Sequence, residues 1–159
     1  MIEKHDINIL RKNGITIQEY MDSLEGQSGE ELKENYKKYS PKADIVKELA
    51  EKSKDYTFVV FSAVWCKDCK TNIAAFARIL DLQPKIDAIF FKGIKSAPLD
   101  PNIRWKVPPS PAEVNDFDLI KIPTFYILNK EGKVVTQMVE NPENKETLEE
   151  ELLYLIENL

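Results

Sequence analysis

Hydrophobic positions in the first forty residues recur at helical spacing. Thr16-Ile17-Gln18-Glu19 has the form of a capping box, with Ile15 and Tyr20 at the staple positions. Ile17, Tyr20, Met21 and Leu24 at i, i+3, i+4 and i+7 predict a short amphipathic helix that Gly26 ends. Ser28-Gly29-Glu30-Glu31 repeats the box and leads a stripe of Leu32, Tyr36 and Tyr39. Ser40-Pro41 then reads as the N-cap and first position of a third helix running to about Lys52. The expectation is an N-terminal helical extension over residues 1–40, packed on a core domain over residues 41–159.

From Tyr56 the period changes. Tyr56 to Phe61 is a short apolar, β-branched run that suits a strand buried on both faces. Ile73, Phe76, Ala77 and Leu80 return to helical spacing through about Asp81, and Ile86 to Lys92 reads as the next strand. Two strands around one helix make a parallel unit with a right-handed crossover, which brings both strand ends to one edge of the sheet. Gly93 to about Asn115 holds Pro98, Pro101, Pro108, Pro109 and Pro111, five of the nine prolines, and is expected to be irregular. Within it Arg104, Trp105 and Lys106 offer an aromatic anchor flanked by positive charge. Thr124 to Leu128 and Val134 to Met138, joined through Asn129 to Lys133, predict an antiparallel hairpin. A terminal helix follows, with Leu148, Leu152, Leu155, Ile156 and Leu159 on one stripe and Glu149, Glu150, Glu151 and Glu157 on a solvated face.

At 159 residues, with 43% hydrophobic and 31% charged positions, the chain is long and apolar enough for one core. The 22 basic and 27 acidic residues give a net charge of −5, which argues against nucleic acid as the main partner. No apolar run reaches membrane-spanning length, so no membrane partner is expected. Met1 to Asp6 lacks the basic-then-apolar order of a signal peptide, which suggests a cytoplasmic protein. A monomer is the expected state.

Cysteine use sharpens the picture, because the chain has only two, Cys66 and Cys69, two residues apart at the turn from strand to helix. That excludes a disulfide scaffold. A four-ligand zinc site within one chain lacks further soft ligands, since the only histidine is His5, expected in a mobile terminus. A zinc shared by two chains stays open. A thiolate must attack a disulfide sulfur and a second thiol must release the mixed disulfide. Cys66 at the helix start, with Lys67 and Lys70 nearby, is the expected attacker, and Cys69, one turn in, the more buried resolving thiol.

Trp65-Cys66-Lys67-Asp68-Cys69-Lys70 at the first strand-to-helix turn and Lys121-Ile122-Pro123-Thr124 before the hairpin together resemble the thioredoxin family over roughly residues 41–159. The resemblance implies an α/β thioredoxin-like three-layer sandwich, with a mixed four- or five-stranded sheet flanked by helices. It implies a cis Ile122–Pro123 bond facing the cysteines, and a redox-active Cys66–Cys69 disulfide with no organic cofactor and no metal. Trp65, Ile122 and Pro123 become candidate substrate-binding residues, and Lys67, Asp68 and Lys92 candidates for tuning the thiol pKa values. The implied partners are disulfide-containing protein substrates and an electron donor such as a thioredoxin reductase or a small thiol.

One departure stands out. Val60, six residues before Cys66, occupies the place where thioredoxins carry a buried aspartate implicated in proton transfer, and Lys92 falls approximately where they place its lysine partner. Asp68 is then a candidate to assist deprotonation of Cys69. The leading expectation is a protein-disulfide reductase, toward which Ile122 before Pro123 leans by resemblance. Alternatives are a disulfide oxidase or isomerase, and a redox-inactive partner-binding module.

Overall fold

The computed structural model describes residues 3–94 and 111–159. Its sheet has four strands in the order β2-β1-β3-β4, formed by β1 (Thr57–Phe61), β2 (Ala88–Phe91), β3 (Thr124–Leu128) and β4 (Val134–Val139). β1 runs parallel to β2 and antiparallel to β3, and β3 pairs antiparallel with β4. Every residue of β1 and of β3 is buried, as expected of central strands covered on both faces.

Alternation along the strands sorts the aromatic residues into two clusters. On one face Phe58, Phe90 and Phe125 pack around Phe76 of α5 (Lys67–Leu82), with centroid separations of 5.2–5.8 Å. On the other, Phe61 contacts Phe91, Phe117 and Tyr126. Around α5 lie α3 (Gly26–Lys38), α4 (Ala43–Lys52) and α7 (Leu148–Glu157). The opposite face carries the short α6 (Glu113–Asp116), within the segment expected to be irregular, and α1 (Ile7–Asn13), whose Asn13 side chain donates to Glu113 Oε2.

The N-terminal segment wraps the edge of β2. Ile15 and Phe90 exchange both backbone hydrogen bonds at 2.8 Å, so the outer edge of β2 is paired. Beyond Ile15 the chain enters α2 (Ile17–Asp22), whose capping box between Thr16 and Glu19 forms as its sequence predicts.

Several expectations need correction. His5 is not in a mobile terminus: it is buried, its ring stacks on Phe117 at 3.8 Å, and its N–H donates to Gly132 O at 2.8 Å. Gly132 must be glycine here, since it has φ of 86° and a Cβ would lie 1.8 Å from His5 O. The turn from Asp6 also starts a helix absent from the sequence reading, with the Asp6 carboxylate accepting from Asn8 and Ile9 N–H. Gly26 does not merely stop a helix. With φ of 69° it reverses the chain and is the first residue of α3, leaving Ser28 inside the first turn instead of at the cap. Ser40-Pro41 does not cap α4 either. Lys42 is the N-cap, and its N–H donates 2.7 Å to Glu149 Oε2 of α7, a tertiary partner no local pattern encodes.

Glu149 and Glu151 are not solvated but essentially fully buried. Glu149 accepts from the Tyr39 hydroxyl and Lys42 N–H; Glu151 accepts from Asn144 N–H, Asn144 Nδ2 and Lys145 N–H at 2.8–2.9 Å. Each is buried because donors from preceding loops saturate it. Glu157 does face solvent, pairing with Lys52. Among the described residues no helix is long and apolar enough to cross a membrane.

Candidate functional site

The end of β1 delivers the chain to the N-terminus of α5, where Cys66 has extended backbone (φ −83°, ψ 128°) and serves as N-cap. Its sulfur accepts the Cys69 N–H at 3.3 Å, the place an oxygen fills in an ordinary cap. Both cysteines are free thiols; Cys66 is half-buried and Cys69 fully buried.

The two sulfurs are driven apart in acidity. Cys66 is lowered to about 7, chiefly by a hydrogen bond from the Cys69 thiol, with burial opposing and the Cys69 and Asp68 N–H groups assisting. Cys69 is pushed far up by burial and by its bond to Cys66, against which the Ala63 N–H at 3.5 Å is a small offset. The charge of Asp68 raises both thiols.

The other candidate residues divide. The Ile122–Pro123 peptide bond is cis, both residues are buried, and the Ile122 carbonyl accepts from Cys66 Sγ at 3.7 Å, so the start of β3 lies against the outer sulfur. Trp65 is 55% exposed beside Cys66, and its indole N–H donates 3.2 Å to Ile94 O. The pKa-tuning candidates fare differently. Lys67 is exposed, while Lys92 at the end of β2 donates to Ser23 Oγ. The Lys70 ammonium, expected to favour the Cys66 anion, pairs with Glu31 of α3 at 3.2 Å. The pull on Cys66 comes mainly from hydrogen bonds, and neither the exposed Lys67 nor the paired Lys70 is among its causes. Arg104, Trp105 and Lys106 lie outside the described residues.

Sequence reasoning missed a clasp that holds the two halves of the site together. Asn72, buried on α5, donates through Nδ2 to Asp68 O, Glu140 O and Asn141 Oδ1 at 2.9–3.0 Å. Glu140, with φ of 65°, donates its N–H to Pro123 O at 2.7 Å, and its carboxylate pairs with Lys121 at 3.3 Å. One residue past β4 thus ties the dithiol helix to the Ile122–Pro123 turn. The only signal in the sequence was the Glu-Asn-Pro turn composition after the strand.

Among the described residues no three His, Cys, Asp or Glu side chains gather where they could hold a metal ion. The geometry sets a half-buried thiol of lowered pKa beside a buried one that keeps its proton.

Comparison with known proteins adds a family and a fold. A thioredoxin family model matches residues 14–94, which takes in α2 to α4 as well as the β1-α5-β2 unit. No curated protein matches the sequence. A Pseudomonas aeruginosa protein of unknown function superposes with a TM-score of 0.71 at 17% identity, over 97% of this chain and 98% of that one. An HIV epitope-scaffold gives 0.71 at 16% identity, over 98% and 99%. Mitochondrial thioredoxin 3 from Saccharomyces cerevisiae, in its oxidised form, gives 0.43 at 17% identity, over 79% and 99%. With its mixed four-stranded sheet flanked by helices and a family match across half its length, the chain belongs to the thioredoxin family.

Proposed function

We propose that the protein is a thiol-disulfide oxidoreductase that reduces protein disulfides by cycling Cys66 and Cys69 between dithiol and disulfide. The observation that carries this reading is the split between the sulfurs: a half-buried Cys66 with its pKa near 7 beside a buried, proton-retaining Cys69. The Cys66 thiolate attacks one sulfur of a substrate disulfide, forming a mixed disulfide and releasing one substrate thiolate. Cys69 then attacks Cys66 Sγ and releases the second, so that substrate gains the two electrons the dithiol loses. The electrons come from the sulfurs themselves, so the cycle needs no organic cofactor and no metal. A thioredoxin reductase or a small thiol would restore the dithiol. Exposed Trp65 and the buried Ile122–Pro123 turn flank the attacking sulfur and are the proposed substrate contacts.

The test is catalysis of insulin reduction by dithiothreitol. Wild type should accelerate it and Cys66→Ser should fall to the uncatalysed rate; a wild-type sample with no acceleration overturns the reading.

A further inference from the structure

Cys69 poses a problem that the rest of the site does not solve. Its thiol is buried and holds its proton tightly, yet it must become a thiolate to resolve the mixed disulfide. The titratable groups acting on it are Cys66 and Asp68, both of which raise it, and it acts in turn on Tyr20 of α2. No carboxylate lies below it on β1, where Val60 is buried and paired with Phe90 and Phe125.

What does lie there is a pair of hydroxyls. Ser62, two residues beyond Val60 on the same face, is fully buried, and its Oγ shares a 2.8 Å hydrogen bond with the Tyr20 hydroxyl, also fully buried. The next residue, Ala63, donates its N–H to Cys69 Sγ at 3.5 Å, so Ser62 adjoins in sequence the residue that bonds the resolving sulfur. Tyr20 reaches this position from the N-terminal segment by crossing β2, its ring edge-on to Phe90 at 5.8 Å. Burying two hydroxyls beneath an apolar sheet face costs free energy that one hydrogen bond between them only partly returns. The phenol feels the charges of Cys69 and Cys66, and burial keeps it neutral throughout the working pH range.

We infer that Tyr20 and Ser62 are positioning residues for the resolving step, a neutral donor pair that stabilises the Cys69 thiolate as it forms. Two hydroxyls sharing one bond use one of their two protons in it, so the other O–H can turn toward a developing anion. Hydrogen bonding to the charged form favours that form. The pair accepts no proton overall. Cys69-SH and the Cys66–S–S–R mixed disulfide become the Cys66–Cys69 disulfide and RSH: the Cys69–Cys66 bond forms, the Cys66–S–R bond breaks, and the proton lost by Cys69 ends on the leaving thiolate. This inference rests on the thiol-disulfide reading of the site.

The experiment follows thionitrobenzoate release when the reduced protein is mixed with DTNB across a range of pH. The first equivalent reports attack by Cys66 and the second reports resolution by Cys69. Tyr20→Phe and Ser62→Ala should each slow the second phase about tenfold near neutral pH, as for a shift of one pKa unit, and move its pH profile upward, leaving the first phase unchanged. Urea titration identifies variants that remain folded, and Ser62→Ala, the smaller change, serves if Tyr20→Phe does not fold. Second phases that match wild type, or equal slowing of both phases, overturn the inference. Release of a single equivalent by wild type fails the thiol-disulfide reading instead.

Discussion

The N-termini of α5 and α7 begin alike and end in opposite roles. Both have an extended N-cap whose side chain accepts from the third helical N–H, Cys66 from Cys69 in α5 and Thr147 from Glu150 in α7. Both attract anions, as any helix start does. In α7 the acidic groups are carboxylates, and those of Glu149 and Glu151 are buried and supplied with donors from the chain before the helix. In α5 the anion is a thiolate with its pKa near 7, half-buried and flanked by exposed Trp65. The same local field builds a structural joint when the acidic group is saturated with donors. On the proposed reading it builds a reactive centre when the charge titrates and one side is left open.

The strongest way to break this comparison is to make α5 resemble α7. Cys66→Asp places a permanent carboxylate at the cap, and all insulin reduction should vanish. Stability in urea should hold or rise by about 0.5–1 kcal/mol, because aspartate is a favoured cap. Marked destabilisation would show that the cap geometry at Cys66 is specific to sulfur.

Next in size is the loss of a saturated anion. Glu149→Ala leaves the Lys42 N–H and the Tyr39 hydroxyl without their carboxylate and should cost about 2–4 kcal/mol in urea unfolding. Glu149→Gln, which keeps one acceptor, should cost less. A change within about 0.5 kcal/mol would mean that the joint between α4 and α7 rests on packing alone.

Titration of the reactive anion comes third. The Cys66 pKa is lowered to about 7, so the thiolate fraction and the iodoacetamide labelling rate should fall about tenfold per pH unit below that value and level off above it. Cys69, held protonated by burial, should remain unlabelled in the same range. A labelling midpoint near 9, or equal labelling of both, would remove the distinction between the two helix starts.

The smallest effect sharpens the account of what sets that pKa. Lys70 is paired with Glu31 and should contribute little, so Lys70→Met should change the labelling rate at pH 7 by less than about twofold. A larger fall would restore the lysines as the tuning charges.

The sequence by itself determined the strands, the dithiol turn and the turn facing it. Those features are local: continuous apolar runs in β1 and β3, helical spacing in α5 and α7, two cysteines one helical turn apart, and Ile122-Pro123 at the head of β3. What only the tertiary structure decided are partnerships across long separations. Glu149 reads as a solvated acid because nothing within its own helix reveals that Lys42 and Tyr39 will meet it. His5 reads as a frayed end because its stacking partner Phe117 comes from a segment far along the chain, just before β3. Asn72 of α5 meets Glu140 just past β4, and Tyr20 of α2 meets Ser62 just past β1. Periodicity tells which face of an element is buried, since burial follows from the side chain's own apolarity. It cannot tell which donor a buried polar atom will find, because that depends on where another element of the fold comes to rest.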